Sequence, residues 1–245
     1  MSSDLRCDTR EARDVSDVSR RQATSVNVPT LAPSLEGMEE TFTFWAAILA
    51  RTLLEGSLPR RWAHVQGVAA RARSLAPALG ADAELVEAAA WLHDIGYLPE
   101  LARSGLHGLD GARYLRDVQR ADPMLCRLVA HHSFAVIEAE ERGLAEVLYG
   151  EFEAAPRPLA DALTFCDMTT SPDGEPVPVG RRLAEIHRRY GRDHLVSRSM
   201  RRATPMILDA VGQVDARERL IRGLGRAGSR AWVIPGAAAR RQSSA

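Results

Sequence analysis

Apolar positions spaced three and four residues apart recur along most of the chain, and short polar or Gly/Pro segments separate them. After Asp82, for example, Leu85, Ala88, Ala89 and Leu92 fall on one face of a helix. Strand patterns are too weak to build a sheet, so we expect an all-α fold. The pattern predicts helices over about 38–55, 59–80, 82–93, 108–120, 123–132, 135–147, 157–169, 179–200 and 204–223.

The two ends of the chain lack this pattern. Residues 1–36 are rich in Ser, Asp, Arg, Thr and Pro, which predicts a disordered leader. We expect one helical domain over 37–224 and a flexible tail over 225–245. The leader has no apolar core of a secretory signal, and no apolar run approaches the ~18–20 residues of a membrane span. These features predict a cytoplasmic protein with no membrane partner.

Composition supports the helices and excludes several mechanisms. Ala (38) and Leu (27), both strong helix formers, are abundant among the 245 residues. The 32 basic and 32 acidic residues cancel, so the totals carry no nucleic-acid-binding signature. Every basic residue is Arg, and the absence of Lys excludes P-loop and Schiff-base chemistry. Cys7, Cys126 and Cys166 form no CxxC motif, which disfavours a disulfide framework or a cysteine zinc site.

Histidine and aspartate residues point inward near several helix ends. His93 continues the apolar face of the helix that starts after Asp82, and Asp94 follows at its end. His64 and Asp167 also fall on the apolar sides of their predicted helices. A buried carboxylate costs several kcal/mol unless it is paired or bound to a metal. Asp167 is therefore either a metal ligand or the partner of an arginine.

Three further histidines lie at helix ends in the same region. His107 opens one predicted helix, and His131 and His132 close another. Imidazole and carboxylate groups that converge from several helices suit a divalent ion such as Fe, Mn, Zn or Co. Each residue alone could equally be hydrogen bonded at a helix end. We interpret His187 and His194, in an Arg-rich stretch, in this second way.

In this order the residues resemble the HD-domain superfamily of metal-dependent phosphohydrolases. The match comprises His64 in RWAHVQGVA, His93-Asp94 in AAWLHDIGY and Asp167 in LTFCDMTT, and it covers about residues 50–200. The additional histidines resemble the two-metal version of the family. That version is found in HD-GYP cyclic-dinucleotide phosphodiesterases, dinucleoside tetraphosphate hydrolases and di-iron HD oxygenases.

The resemblance implies an HD-like helical bundle around a buried His/Asp site that holds one or two divalent ions (Mn, Fe, Co, Zn or Mg). It assigns catalysis, by a metal-activated hydroxide that attacks phosphorus, to His93 and Asp94. The implied ligands of the first ion are His64, His93, Asp94 and Asp167. Asp94 would bridge to a second ion on His107 and His131, with His132 as a ligand or outer partner.

The sequence departs from the family pattern in two places. The lysine that often follows the HD pair is absent, so phosphate contacts would come from Arg61, Arg103, Arg181 and Arg182. The GYP signature is also missing after His131-His132, which disfavours cyclic di-GMP as substrate. The turn-rich loop over 169–174 either lines the substrate mouth or simply connects two helices.

Together these features predict a phosphomonoesterase or phosphodiesterase that acts on a nucleotide or similar small phosphoester. Two alternatives use the same residues. One is a di-iron oxygenase of the HD type, and the other is a non-catalytic regulatory module that binds a metal or a nucleotide. The sequence leaves the oligomeric state open.

Overall fold

Residues 42–230 are described by the computed structural model, with side chains as far as residue 221. This part of the chain contains no named strand, only an isolated bridge between Thr170 and Pro176, and the predicted all-α fold is confirmed. The predicted leader over 1–36 lies outside it. The helices are α1 (Phe42–Leu54), α2 (Pro59–Ser74), α3 (Ala76–Leu79), α4 (Ala83–Leu92), α5 (His107–Asp117), α6 (Pro123–His131), α7 (Ala135–Glu141), α8 (Ala145–Glu151), α9 (Arg157–Met168), α10 (Val179–Tyr190) and α11 (Leu195–Arg230), with 3₁₀ turns at Gly80–Asp82, Ile95–Tyr97 and His132–Phe134.

Two predicted helices are each divided in the structure, one near a proline and the other at a glycine with left-handed backbone. The helix expected over 59–80 ends at Ser74, because Pro77 has no N–H to donate. The helix expected over 135–147 is interrupted at Gly143, whose φ of +71° is left-handed. The remaining residues of that segment start α8.

The last two predicted helices are also redrawn. Helix α10 ends at Tyr190, before Gly191 with φ +82°. Helix α11 then starts at Leu195 and continues through Pro205 to Arg230, so it enters the segment assigned to the tail. Residues 231–245 of that segment lie outside the described part of the chain.

The N-terminal caps differ from one another. The Asp122 carboxylate accepts hydrogen bonds from the backbone N–H groups of Met124 (2.7 Å) and Leu125 (3.1 Å), as the Asp-Pro pair predicts. Asp82 occupies the cap position of α4 without such a bond, because its own backbone is already helical (φ −86°, ψ 0°). Aspartate at this position favours a side-chain cap, but Asp82 forms none.

Helices α4 and α9 lie at the centre of the bundle. Ala88, Ala89 and Ala90 are fully buried, and their small side chains let α1 and α2 pack closely against α4. On α9 every residue from 161 to 168 is buried. The C-terminal ends of these two core helices carry Asp94 and Asp167, so the fold places both carboxylates inside the protein. Within residues 42–230, no helix is long and apolar enough to cross a membrane.

Candidate metal centre

A first group of potential ligands forms where α2, α4 and α9 meet. His64, His93 and Asp167 are all buried, and one ligand atom of each lies within 4.8 Å of the others. The shortest contact joins His64 Nε2 to Asp167 Oδ1 at 3.0 Å. His93 Nε2 lies 4.0 Å from the same carboxylate oxygen.

Backbone carbonyls fix the orientation of both rings in this group. His64 Nδ1 donates to the carbonyl oxygen of Ser171 (2.9 Å), and His93 Nδ1 donates to that of Ala90 (2.8 Å). In a neutral ring the opposite nitrogen, Nε2, is then an acceptor. An acceptor that faces Asp167 requires a proton or a cation between the two atoms. His93 Nε2 is buried and has no hydrogen-bond partner among the described residues.

A second group lies beside the first, at the ends of α4, α5 and α6. It comprises Asp94, His107 and His132. His132 Nδ1 donates to the carbonyl of Val129 (2.7 Å), which turns its Nε2 toward His107 Nε2 at 3.0 Å. This ring is therefore held in the same way as those of the first group.

Asp94 lies between the two groups and presents one carboxylate oxygen to each. Its Oδ2 lies 3.6 Å from His93 Nε2 and 4.0 Å from His64 Nε2. Its Oδ1 lies 3.5 Å from His107 Nε2. The bridging role expected for Asp94 stays a prediction, and this geometry is compatible with it.

For Asp94, Asp167, His107 and His132, the electrostatic surroundings favour the protonation states that metal ligands need. Burial by itself would raise the pKa of Asp94, but Arg61 and then the neighbouring histidines hold it well below its ordinary value. Asp167 behaves similarly, since its contact with His64 outweighs burial and lowers its pKa. Burial lowers the pKa of both His107 and His132. Charged carboxylates and neutral imidazoles are the forms that bind divalent ions.

His131 does not join either group. Its Nε2 donates to the carbonyl oxygen of Phe152 (2.7 Å), and its ring lies against Tyr149. Successive side chains on a helix point about 100° apart, so the two adjacent rings cannot both face the centre. The structure therefore places His132 where the resemblance had placed His131. His187 and His194 also lie outside both groups.

A strained turn follows His132 and connects the two groups. Ser133 (φ +49°) and Phe134 (φ +61°) are both left-handed, although neither is Gly, Asn or Asp. The Ser133 hydroxyl donates to Asp167 Oδ2 at 2.5 Å. Residues other than glycine keep a left-handed backbone only where the surrounding contacts hold them in it. The sequence gives no signal for this turn, because its residue types do not favour left-handed backbone.

Gly96 allows the turn after Asp94 to approach α5. A Cβ at this position would lie 1.9 Å from the His107 carbonyl oxygen and 2.7 Å from the Gly111 nitrogen. Only glycine fits this contact, which brings the start of α5, and so His107, beside Asp94. This contact explains why glycine is needed at the last position of the HDIG tetrapeptide.

The loop after Asp167 has two roles, which answers the alternative left open by the sequence. Its Ser171 carbonyl holds the His64 ring, and Gly174 (φ +85°) packs against α2 at Gly67. Pro172 also lines a small pocket beside the centre, together with Arg61, His64 and Arg182. The loop therefore both lines this pocket and supports His64.

Three arginines line the cleft above the centre. Arg61 donates to Asp94 Oδ2 (2.7 Å) and lies over the Tyr97 ring, which in turn stacks on His107. Arg182 is only 5% exposed and lies 3.9 Å from Asp167 Oδ1. Arg189 also lines the cleft, although the sequence analysis missed it. The spacing could have predicted this, because Arg189 lies seven residues after Arg182 and so falls on the same face of α10.

Arg103 and Arg181, the other two candidates for phosphate contact, are exposed and do not line the cleft. Arg181 is adjacent to Arg182 on α10 and so points to a different side of that helix. Arg103 lies in the loop before α5, where its backbone N–H donates to Asp110 (2.9 Å). Neither side chain is placed to contact a substrate at this centre.

Comparison with known proteins supports the assignment of this region. Residues 61–169 match the family model of the HD domain, a span that includes both groups of potential ligands. No curated protein and no solved structure matches the chain.

Proposed function

We propose that the chain, through its HD domain at residues 61–169, is a member of the HD-domain superfamily of metal-dependent phosphohydrolases. It would hydrolyse a small phosphoester, such as a nucleotide, at the centre between α2, α4 and α9. The position of Asp94 carries the proposal. A single buried carboxylate with one oxygen toward each of two histidine-containing groups is suited to join two cations.

The donor atoms fit divalent ions that accept both imidazole and carboxylate, such as Fe, Mn, Co or Zn. The first ion would be held by His64, His93 and Asp167, the second by His107 and His132, and Asp94 would contact both. When bound, such ions would activate water as a nucleophile and neutralise charge on the phosphoryl group. The clearest support for a cation here is that His93 Nε2 is buried and has no hydrogen-bond partner among the described residues.

The residues around the centre would bind and orient the substrate. The cleft above the centre is open to solvent, and Arg61, Asp94 and Asp167 are among the residues that line it. Arg61 and Arg182 reach the edge of the centre next to Asp94 and Asp167. Their guanidinium groups would hold the oxygens of the phosphoryl group that reacts. Burial of Asp94 and His93 would keep bulk water from the reacting atoms.

Hydrolysis of a phosphoester is better supported than oxygenase chemistry on a neutral substrate. Both would use the same ligands, but the three guanidinium groups beside the centre suit an anionic substrate. The experiment below also distinguishes the two alternatives, an oxygenase and a module that binds metal and nucleotide without turnover.

The proposal predicts that Asp94→Asn loses metal and activity together. We expect bound metal to fall from two ions per chain to one or none, because the amide cannot bridge two cations. Phosphate release from a panel of nucleotides with Mn or Co should fall by about 10²-fold or more. Metal analysis and phosphate assays on the same preparations check both.

Asp209→Asn is the matched control, since this carboxylate is exposed on α11 and pairs with Arg157. It should keep both metal content and activity. Wild-type protein that carries metal, releases no phosphate from the panel and consumes oxygen would support the oxygenase instead. The same protein with neither activity would support the binding module.

A further inference from the structure

Arg182 and Arg189, both on α10, form a pair of guanidinium groups that line the cleft. Arg182 Nη1 donates to Glu185 Oε2 at 2.6 Å. Arg189 Nε lies 3.6 Å from the other oxygen of Glu185, beyond hydrogen-bonding distance. Glu185 thus stands between two guanidinium groups and is bonded to only one of them.

Both guanidinium groups have unused hydrogen-bonding capacity. The Nε atoms of Arg182 and Arg189 are buried and have no hydrogen-bond partner among the described residues. Donors on a buried cation are costly to leave unpaired, so their retention beside a cleft indicates a ligand that accepts from them. Arg182 is itself 5% exposed, so water does not solvate it freely.

The nearby carboxylates leave positive charge in excess at this point. Asp94 is paired with Arg61, and Asp167 contacts His64 and Ser133. Glu138, the remaining carboxylate of the cleft wall, is bonded to Arg142. Arg182 and Arg189 therefore share one carboxylate, that of Glu185, and Arg182 has a longer contact with Asp167 as well.

The two arginines differ in their contacts with the centre. Arg182 lies 3.9 Å from Asp167 and is also paired with Glu185, whereas among the described residues Arg189 forms an ion pair with Glu185 and none with Asp94 or Asp167. An anion at Arg189 would therefore be separate from the phosphoryl group that reacts beside Asp94, while Arg182 could contact both.

We propose that Arg189, together with Arg182, forms a second anion subsite for a phosphoryl group that is not hydrolysed, so that the substrate carries at least two phosphoryl groups. The inference rests on the proposed function, because it takes the first phosphoryl group to react at the metal centre. A phosphoryl group suits the subsite because its several oxygens can accept from two guanidinium groups at once.

Calorimetric titration of metal-loaded protein tests the subsite with two probes, inorganic phosphate and methylene diphosphonate. The second is a non-hydrolysable anion with two phosphoryl groups. In the wild type it should bind at least about tenfold more tightly than phosphate. Arg189→Gln should lower the affinity for methylene diphosphonate by about tenfold and change the affinity for phosphate by less than about twofold. Metal content is measured after each titration, because diphosphonates chelate metals.

Arg188→Gln is the matched control. This neighbouring arginine is exposed and does not line the cleft, so its loss should alter neither affinity. Equal weakening of both probes by Arg189→Gln, or no weakening of either, overturns the subsite.

The test also separates this inference from the proposed function. Arg189-dependent binding of methylene diphosphonate in a protein that releases no phosphate would uphold the subsite and refute hydrolysis. If the protein releases phosphate but Arg189→Gln leaves its affinity for methylene diphosphonate unchanged, the subsite is overturned and the proposed hydrolysis stands.

Discussion

At the scale of single residues, the orientation of each imidazole follows from the carbonyl behind it. His93 and His132 each donate Nδ1 to the carbonyl three residues earlier, Ala90 and Val129. The last carbonyls of a helix lack partners within the helix. A histidine at a helix end can therefore satisfy one of these carbonyls and aim Nε2 into the protein. This double role explains why helix ends supply so many residues of the centre.

The same geometry distinguishes the two adjacent histidines by mutation. We predict that His132→Ala keeps the first metal and loses the second, because its Nε2 belongs to the second group. His131→Ala should retain both, since that ring bonds to the carbonyl of Phe152 instead. Metal content after desalting checks this. Loss of one ion from His131→Ala with none from His132→Ala would restore the assignment made from the family resemblance.

At the scale of elements, the second group depends on how closely two segments approach. The 3₁₀ turn Ile95–Tyr97 contacts the start of α5 through backbone atoms at Gly96. Gly108, on the first turn of α5, similarly packs against the Ala130 carbonyl of α6. Since α5 begins and α6 ends next to Asp94, a shift of either helix would separate His107 from His132.

Gly96→Ala should therefore destabilise the protein. Its Cβ would collide with the His107 carbonyl oxygen, so we expect a loss of about 2–4 kcal/mol in the free energy of unfolding, together with weaker binding of the second metal. Urea denaturation followed by circular dichroism measures the first effect.

Gly212→Ala on α11 provides the control for this substitution. Nothing lies within 4 Å of its added Cβ, and alanine favours the helix by up to ~1 kcal/mol. This variant should be as stable as the wild type or more so. Equal stability of the two variants would show that the turn can move away from α5.

At the scale of the whole molecule, a formal charge of zero conceals an uneven distribution. Carboxylates and imidazoles are buried together at the centre, and arginines line the cleft beside them. Without cations, burial disfavours the protonated forms of His107 and His132. The stability of the metal-free protein should therefore depend on pH.

We predict that metal-free protein loses stability as the pH falls from about 7.5 to about 5.5. Burial lowers the pKa of His107, His131 and His132 in the folded state, so below pH ~6.5 the unfolded chain binds more protons than the folded one. The lowered pKa values of Asp94 and Asp167 act only at lower pH, because their stabilising effect is lost as the pH falls below the usual carboxyl range.

Urea denaturation in EDTA at several pH values measures this dependence. His107→Gln, which removes one of the titrating groups, should give a shallower slope than the wild type. Stability that stays constant or rises as the pH falls over this range would contradict the prediction.

The sequence by itself determined the fold class and most of the residues of the centre. Helical periodicity is local, so it shows which side of α4 or α9 faces inward, and this placed His93 and Asp167 correctly in the interior. The HDIG tetrapeptide and the order of the histidines indicated an HD domain for the same reason, because both can be found along the chain, and residues 61–169 match the family model of that domain.

Only the tertiary structure decided which atoms meet. Whether His131 or His132 faces Asp94 depends on where α6 ends and on a left-handed turn that its residue types do not predict. Arg189 rather than Arg181 lines the cleft because of the face that α10 turns toward the cleft when it packs against the rest of the bundle. These outcomes depend on contacts between segments far apart in the chain, which periodicity along the sequence does not encode.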